Sequence, residues 1–270
     1  MNERIIIEGR QAVLQDGEGD RHVAELGSFL GRVSEHCLHG MTEEPIPGNV
    51  KWMVSCGTVD VCIVEFEPEL RLLNWITDDS PAPYGPEAMC TPRRLATPYV
   101  VLKVPLRRGR IVTRVELFYR NEPLGHKSGP GGSLFWPNLL NVSPGHKGCT
   151  AWLCTQFFSR LQIRPGITAG LDALTHHLWG GNFNRSSEAH EGASAFSKAR
   201  ADGIDSRVTD VGRWEAESVK DPYFVLSVDW RPTGMDVQSV IEAELRAQRV
   251  PPAPASASSL ANHLLRTAKP

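Results

Sequence analysis

Two short breaks between strand-like runs constrain this chain more than any other feature. Asn49–Cys56 and Val59–Phe66 are separated only by Gly57-Thr58, and Tyr99–Pro105 and Arg110–Tyr119 only by Leu106-Arg-Arg-Gly109. Connections this short can join strands only as antiparallel hairpins, because a parallel return needs a crossover of a dozen residues or more. The middle of the chain therefore reads as a four-stranded antiparallel meander. The insert from Thr77 to Pro98 carries five Pro and reads as an ordered loop or flap.

Helical patterns flank these runs. Ile5–Ile7 and residues 11–14 suit a short strand and turn. From Asp20 to Leu38, Val23, Leu26, Leu30, Val33 and Cys37 recur at helical spacing, and Gly40 follows as a stop. Asn121–Gly148 is rich in Gly and Pro without periodicity, which predicts an irregular surface segment. Pro165 then introduces a helix over Gly166–Trp179 with Ile167, Leu171, Leu174 and Leu178 on its apolar face, ended by Gly180-Gly181. Residues 185–212 read as a helix-and-loop insertion, Tyr223–Trp230 as a strand, and Asp236–Arg249 as a helix capped by Asp236. Strands in a run, followed by helices, make the fold class α+β rather than a parallel βαβ sheet. The expected organisation is one domain over 1–249, with its core at about 20–185, additions at 186–249, and a flexible Pro/Ala/Ser-rich tail over 250–270.

Composition removes several function classes. A formal net charge of −2 provides no strong field for nucleic acid or an anionic membrane. No uninterrupted apolar run approaches the ~20 residues a membrane helix needs. Glu3 and Glu8 flank a three-residue Ile run, so the first ten residues do not read as a signal peptide. The six Cys are scattered without a C-x-x-C pair and read as reduced thiols, which implies the cytoplasm. His176 and His177 are adjacent on a helix and have no His partner at i+4, so no metal site is expected. Arg93-Arg94 and Arg107-Arg108 read as loop cations open to an acidic partner, and Trp52, Trp75, Trp179, Trp214 and Trp230 as core.

The chemistry-bearing stretch is Leu134-Phe-Trp-Pro-Asn-Leu-Leu-Asn-Val-Ser-Pro-Gly-His-Lys-Gly-Cys149-Thr-Ala-Trp-Leu153. It sets a thiol, Cys149, behind Gly148, with His146 and Lys147 close enough in sequence to favour the thiolate. Asn138 lies eleven residues earlier (149 − 138). Its amide could stabilise an oxyanion, an interaction typically worth ~3 kcal/mol. It could equally fix the loop by bonding to backbone. Cys149 could also be a small buried residue like other thiols, and Cys154, past Trp152-Leu153, reads as packing.

With the strands ahead of it, this stretch resembles the ubiquitin-conjugating enzyme fold in its divergent prokaryotic form. Trp136-Pro137-Asn138 stands at the family's His-Pro-Asn tripeptide, Gly148-Cys149-Thr-Ala-Trp-Leu153 at its active-site cysteine, and Ile163-Arg-Pro165 before its crossover helix. Trp136 replaces the tripeptide His and would pack the loop by burial. The resemblance covers residues 20–185 in order and implies an N-terminal helix, a four-stranded antiparallel meander, an active-site loop and a crossover helix with C-terminal additions. It further implies a transferase that accepts a ubiquitin-like protein on Cys149 as a thioester from an activating enzyme and passes it to an amine of a protein target. Such sets look like bacterial ubiquitination-like systems for antiviral defence or on plasmids, and because ATP is consumed at the activation step the resemblance implies no cofactor for the protein itself. Two other readings remain: a catalytically silent scaffold of the same fold that binds a ubiquitin-like protein, and a cysteine hydrolase, which would need a His base oriented by Asp or Asn.

Overall fold

The computed structural model describes residues 4–8, 11–15, 21–25, 46–56, 59–107, 110–111, 114–125, 132–143, 151–155, 166–191 and 195–248. The chain divides into two compact units. One is Met1–Glu43 together with Gln248–Pro270, and the other is Glu44–Ala247. The tail expected over 250–270 lies outside the described residues.

The first unit contains an antiparallel sheet of β1 (Arg4–Glu8), β2 (Gln11–Gln15) and β3 (Arg21–Glu25). Ile6 pairs with Val13, and Val13 in turn with Val23. This corrects the helix expected from Asp20, because its first residues are a strand. Val23 fits a helical spacing, but a strand-ready Ile5–Ile7/Ala12–Leu14 hairpin offers Arg21–Glu25 a ladder of backbone hydrogen bonds, and tertiary pairing outweighs local propensity. Residues 26–38 of that expected helix lie outside the described residues.

The second unit is α+β. Its main sheet contains β4 (Val50–Cys56), β5 (Val59–Phe66), β8 (Tyr99–Arg107) and β10 (Glu116–Arg120), adjacent and antiparallel in that order. These are the four strands read from the hairpin signals. The last run is split, with Arg110–Ile111 forming a separate β9 paired to β8. The sheet continues past β10 through β11 (Ser133–Phe135) to β13 (Pro232–Asp236). The proline-rich insert is only partly a loop. Its end is strand β7 (Cys90–Thr97), which pairs with β6 (Glu69–Ile76), and β6 pairs in parallel with the two residues of β12 (Asn182–Phe183). Pro92 is accommodated because β7 is an edge strand.

The helices are α1 (Ile167–Gly180), α2 (Ser186–Glu191), α3 (Ala195–Ala201), α4 (Val211–Lys220) and α5 (Val237–Gln248). α1 buries Leu171, Leu174 and Leu178 as its spacing predicts. Asp210 caps α4 by accepting from the Arg213 amide, and Asp236 accepts from the Ser239 amide at the start of α5 (2.7 Å). Tyr223–Trp230 is not a strand: Phe224–Ser227 form a 3-10 turn. Its alternating apolar residues turn back so that Phe224, Val225, Val228 and Trp230 all join one core.

Side chains alternate across the main sheet. One face carries Cys62, Val64, Val100, Leu102, Val104, Leu117 and Tyr119 into the large core with α1, Trp214 and Trp230. The other carries Val61, Ile63, Val101 and Phe118 against Val237, Val240 and Ile241 of α5. Trp75, Trp214 and Trp230 are buried as expected, while Trp52 and Trp179 are only half-buried. No helix among the described residues is long and apolar enough to cross a membrane.

Candidate functional site

β11 delivers the Trp136-Pro137-Asn138 tripeptide. Phe135 is paired with Tyr119 on one side and Pro232 on the other, and the Trp136 amide donates to the Arg231 carbonyl (2.9 Å). Trp136 is half-buried. Its ring lies 6.4 Å from that of Phe118, and the Arg231 guanidinium, itself paired with Asp202 (3.2 Å), sits 5.4 Å from its centroid. This is packing by partial burial and cation–π contact.

Pro137 and Asn138 are buried. The Asn138 amide nitrogen donates to the Val208 carbonyl, and its amide oxygen is buried without a hydrogen-bond partner. Val208 is held in place by a 3-10 turn capped by Asp205, which accepts from the Arg207 amide and guanidinium. The Arg207 hydrogen bonds hold the Asp205 carboxyl below its ordinary range. Beside Asn138, burial pushes the Tyr119 hydroxyl well above its usual pKa, opposed by the Asn138 backbone. The tripeptide, Trp230 and α3 line a recess of about 10 Å³, room for at most one water. Of the two roles open to Asn138, bonding to backbone is therefore the one this geometry contains.

Part of the segment expected to be irregular surface is instead core: Leu134, Leu139, Leu140, Val142 and Ser143 are all buried. It runs to the lower flank of β10, where a second segment meets it. The Leu117 amide donates to the Ala151 carbonyl and the Leu153 amide to the Val115 carbonyl, both at 2.8 Å, while the Ser143 amide donates to the Trp152 carbonyl at 3.0 Å. Val142 and Leu153 form an antiparallel bridge, as do Glu116 and Trp152. Residues 141–143 and 151–154 are thus tied to each other, and 151–153 also to the sheet. Between them lie His146, Lys147, Gly148 and Cys149, which are outside the described residues.

Sequence reasoning missed the residue that anchors this stem. Asn141 adopts φ 63°, the left-handed region that Asn tolerates better than most residues. Its carbonyl accepts from the Cys154 amide (2.8 Å), its side-chain amide donates to the Asn182 carbonyl (2.6 Å), and its side-chain oxygen accepts from the Asn184 amide (3.0 Å). His177 of α1 bonds the Cys154 carbonyl through Nε2 (2.8 Å). The stem is therefore fastened to α1 and to the turn after it. A cluster of Asn residues at 141, 182 and 184 was the available sequence signal.

The other thiols sort by environment. Cys62 is fully buried, and burial with the nearby Asp60 charge pushes its pKa up to about 12. Cys90 is half-buried and also raised by burial, and Cys154 is half-buried. The Arg93-Arg94 pair is not on a loop. Both residues lie in β7, where Glu215 of α4 pairs with the Arg93 guanidinium and accepts from the Arg94 amide, each at 2.9 Å. Arg107 ends β8, and Arg108 is outside the described residues. Among the described residues no group of three or more His, Cys, Asp or Glu side chains is arranged to hold a metal ion. Comparison with protein-family models, with curated proteins and with solved structures gives no match for this chain.

Proposed function

We propose that this protein is a ubiquitin-conjugating-like transferase that carries a ubiquitin-like protein as a thioester on Cys149. The observation that carries the reading is the fastening of the two stems around Cys149. After four adjacent antiparallel strands, residues 141–143 and 151–154 are bonded to each other beside the last of those strands and secured to the following helix. Fixed ends limit the freedom of the residues between them, and a limited freedom lowers the entropic cost of reaction.

In the proposed reaction the Cys149 thiolate attacks the C-terminal glycyl carbonyl of a thioester on an activating enzyme. A new carbon–sulfur bond forms and the activating enzyme's thiolate leaves. A target amine then attacks the same carbonyl, loses a proton, and expels the Cys149 thiolate as the amide forms. His146 and Lys147, within three residues of the thiol in sequence, would raise its thiolate fraction. Asn138, tied to the Val208 carbonyl, positions the segment that enters the loop. The system would be a bacterial, cytoplasmic defence or plasmid-borne set.

One observation favours a second reading, a catalytically silent binding scaffold: the buried Asn138 amide is committed to backbone and offers no donor at the surface. A non-reducing gel decides between them. The protein is mixed with a ubiquitin-like protein activated as its C-terminal glycyl thioester, comparing wild type with Cys149→Ala and Cys154→Ala. A thiol-labile adduct lost only in Cys149→Ala supports the transferase. Binding without any adduct supports the scaffold.

A further inference from the structure

The edges of the sheets in the Glu44–Ala247 unit are treated unequally. An open strand edge invites pairing with another chain, and proteins normally blunt it. β13 is blunted by Pro232 and by Gly234 at φ 76°. β12 and β9 are two residues long. β7 is capped by side chains of α4: Glu215 accepts from the Arg94 amide, Ser218 from the Ala96 amide, and Trp214 Nε1 donates to the Ala96 carbonyl. β4 has none of these devices. It is seven residues long, Val50-Lys-Trp-Met-Val-Ser-Cys56, without Pro or Gly, and among the described residues no strand lies beyond it. Its one charged residue, Lys51, is turned to Glu65 of the neighbouring strand at 3.5 Å.

The register shows which backbone groups face outward. The Glu65 amide donates to the Asn49 carbonyl (2.8 Å), so Glu65, and by alternation Ile63 and Val61, direct their amides toward β4. Their partners Trp52 and Val54 bond inward. Met53 and Ser55, opposite Cys62 and Asp60, therefore present N–H and C=O groups to the open side.

We infer that this edge joins two copies of the chain, β4 adding antiparallel to β4 about a two-fold axis at Met53. The strand is self-complementary in that register. Met53 meets Met53, and Trp52 of each copy comes opposite Val54 of the other. Met53 is 37% exposed, and Trp52 and Val54 are half-buried at the rim of the apolar cluster under α5, so pairing would finish their burial. Each Lys51 comes opposite the other copy's Ser55, whose hydroxyl donates to Asp60 (2.6 Å). Lys51 is thereby opposed by a neutral residue, and no like charges come directly opposite in this register. A closed two-fold pairing uses both open edges and stops there, whereas a head-to-tail addition would continue into a fibre.

Sedimentation velocity on the full-length chain, from about 5 to 500 µM, tests this, because one seven-residue edge predicts a small interface with affinity in the micromolar range. Wild type is expected to pass from monomer to dimer with concentration. Met53→Pro removes an outward N–H without touching the β5 ladder, and Met53→Lys sets two ammoniums side by side. Each should raise the dimer dissociation constant at least tenfold, with circular dichroism confirming the fold. Met53→Cys should cross-link to itself on mild oxidation, since directly opposed residues lie ~5.5 Å apart, within disulfide range. Peptide mass spectrometry would locate that bond. A monomer at every concentration, or a dimer insensitive to both Met53→Pro and Met53→Lys, overturns the inference.

Discussion

Lys103→Met should be among the most damaging single changes outside the apolar core. Lys103 lies 4% exposed on β8, directly opposite Glu116 on β10 in the strand register. Its ammonium is 3.2 Å from Glu116 and 2.5 Å from Glu244 of α5, and both glutamates are themselves buried. At ~3 Å and an effective permittivity of ~20, each attraction is about 5–6 kcal/mol before desolvation is counted. Removing the cation takes from two desolvated carboxylates the ammonium they share, a loss that costs about 3–5 kcal/mol net. The test is urea unfolding followed by tryptophan fluorescence. All seven Trp lie within Glu44–Ala247, so the signal reads that unit alone. With a slope of ~2 kcal/mol/M, the midpoint should fall by about 1.5–2.5 M. The triple variant Lys103→Met/Glu116→Leu/Glu244→Leu should recover most of that loss, because an apolar replacement removes the stranded charges as well. A midpoint shift below about 0.5 M in Lys103→Met, or a triple variant as weak as the single, would refute the reasoning that the three groups form one closed ionic unit.

Further changes test the site and its surroundings. Asn138→Ala should cost about 1–3 kcal/mol by leaving the Val208 carbonyl unsatisfied, while Asn138→Asp, which sets a carboxylate against that carbonyl, should cost more; thermal melts rank the two. Asn141→Gly keeps the left-handed backbone and loses only the side-chain ties, whereas Asn141→Ala adds ~1–2 kcal/mol of strain at φ 63°. Denaturant titration should therefore place Asn141→Gly above Asn141→Ala. Cys62 should resist iodoacetamide at pH 8 in the native protein and react on unfolding. Its folded pKa, about 12, exceeds the ordinary 9.0, so its contribution to stability is complete below pH 9 and is lost as pH rises toward 12. Alkaline unfolding of Cys62→Ala should show a smaller loss over that window than wild type.

The parts of this fold that were legible in the sequence are those set by short-range geometry. Gly57-Thr58 and Leu106–Gly109 allow so little chain that antiparallel pairing followed directly, and β4, β5 and β8 stand where those breaks put them. The apolar spacing of Leu171, Leu174 and Leu178 marked α1 for the same reason. What escaped was decided by partners distant in sequence. Val23 satisfies a helical period, yet Arg21–Glu25 pairs with β2, which no local spacing announces. Arg93 and Arg94 look like solvated loop cations until Glu215, more than a hundred residues later, is placed against them. The Tyr223–Trp230 alternation reads as a strand, but a 3-10 turn brings the same residues to one core.

The candidate site divides along the same line. Its motif was visible because tripeptide, glycine and thiol are contiguous, but the role of Asn138 depends on Val208, and that of the stem on Asn141, Asn182 and His177. One N–H of the Asn138 amide holds the Val208 carbonyl and the side chain is buried, so its second N–H is not presented at the surface. Its effect on a reaction at Cys149 must then pass through the placement of the chain that enters the loop. That gives Asn138→Ala a distinguishable signature: a less stable protein in which the thiol-labile adduct still forms at low temperature. A variant that folds as wild type yet forms no adduct would instead return Asn138 to the reaction itself.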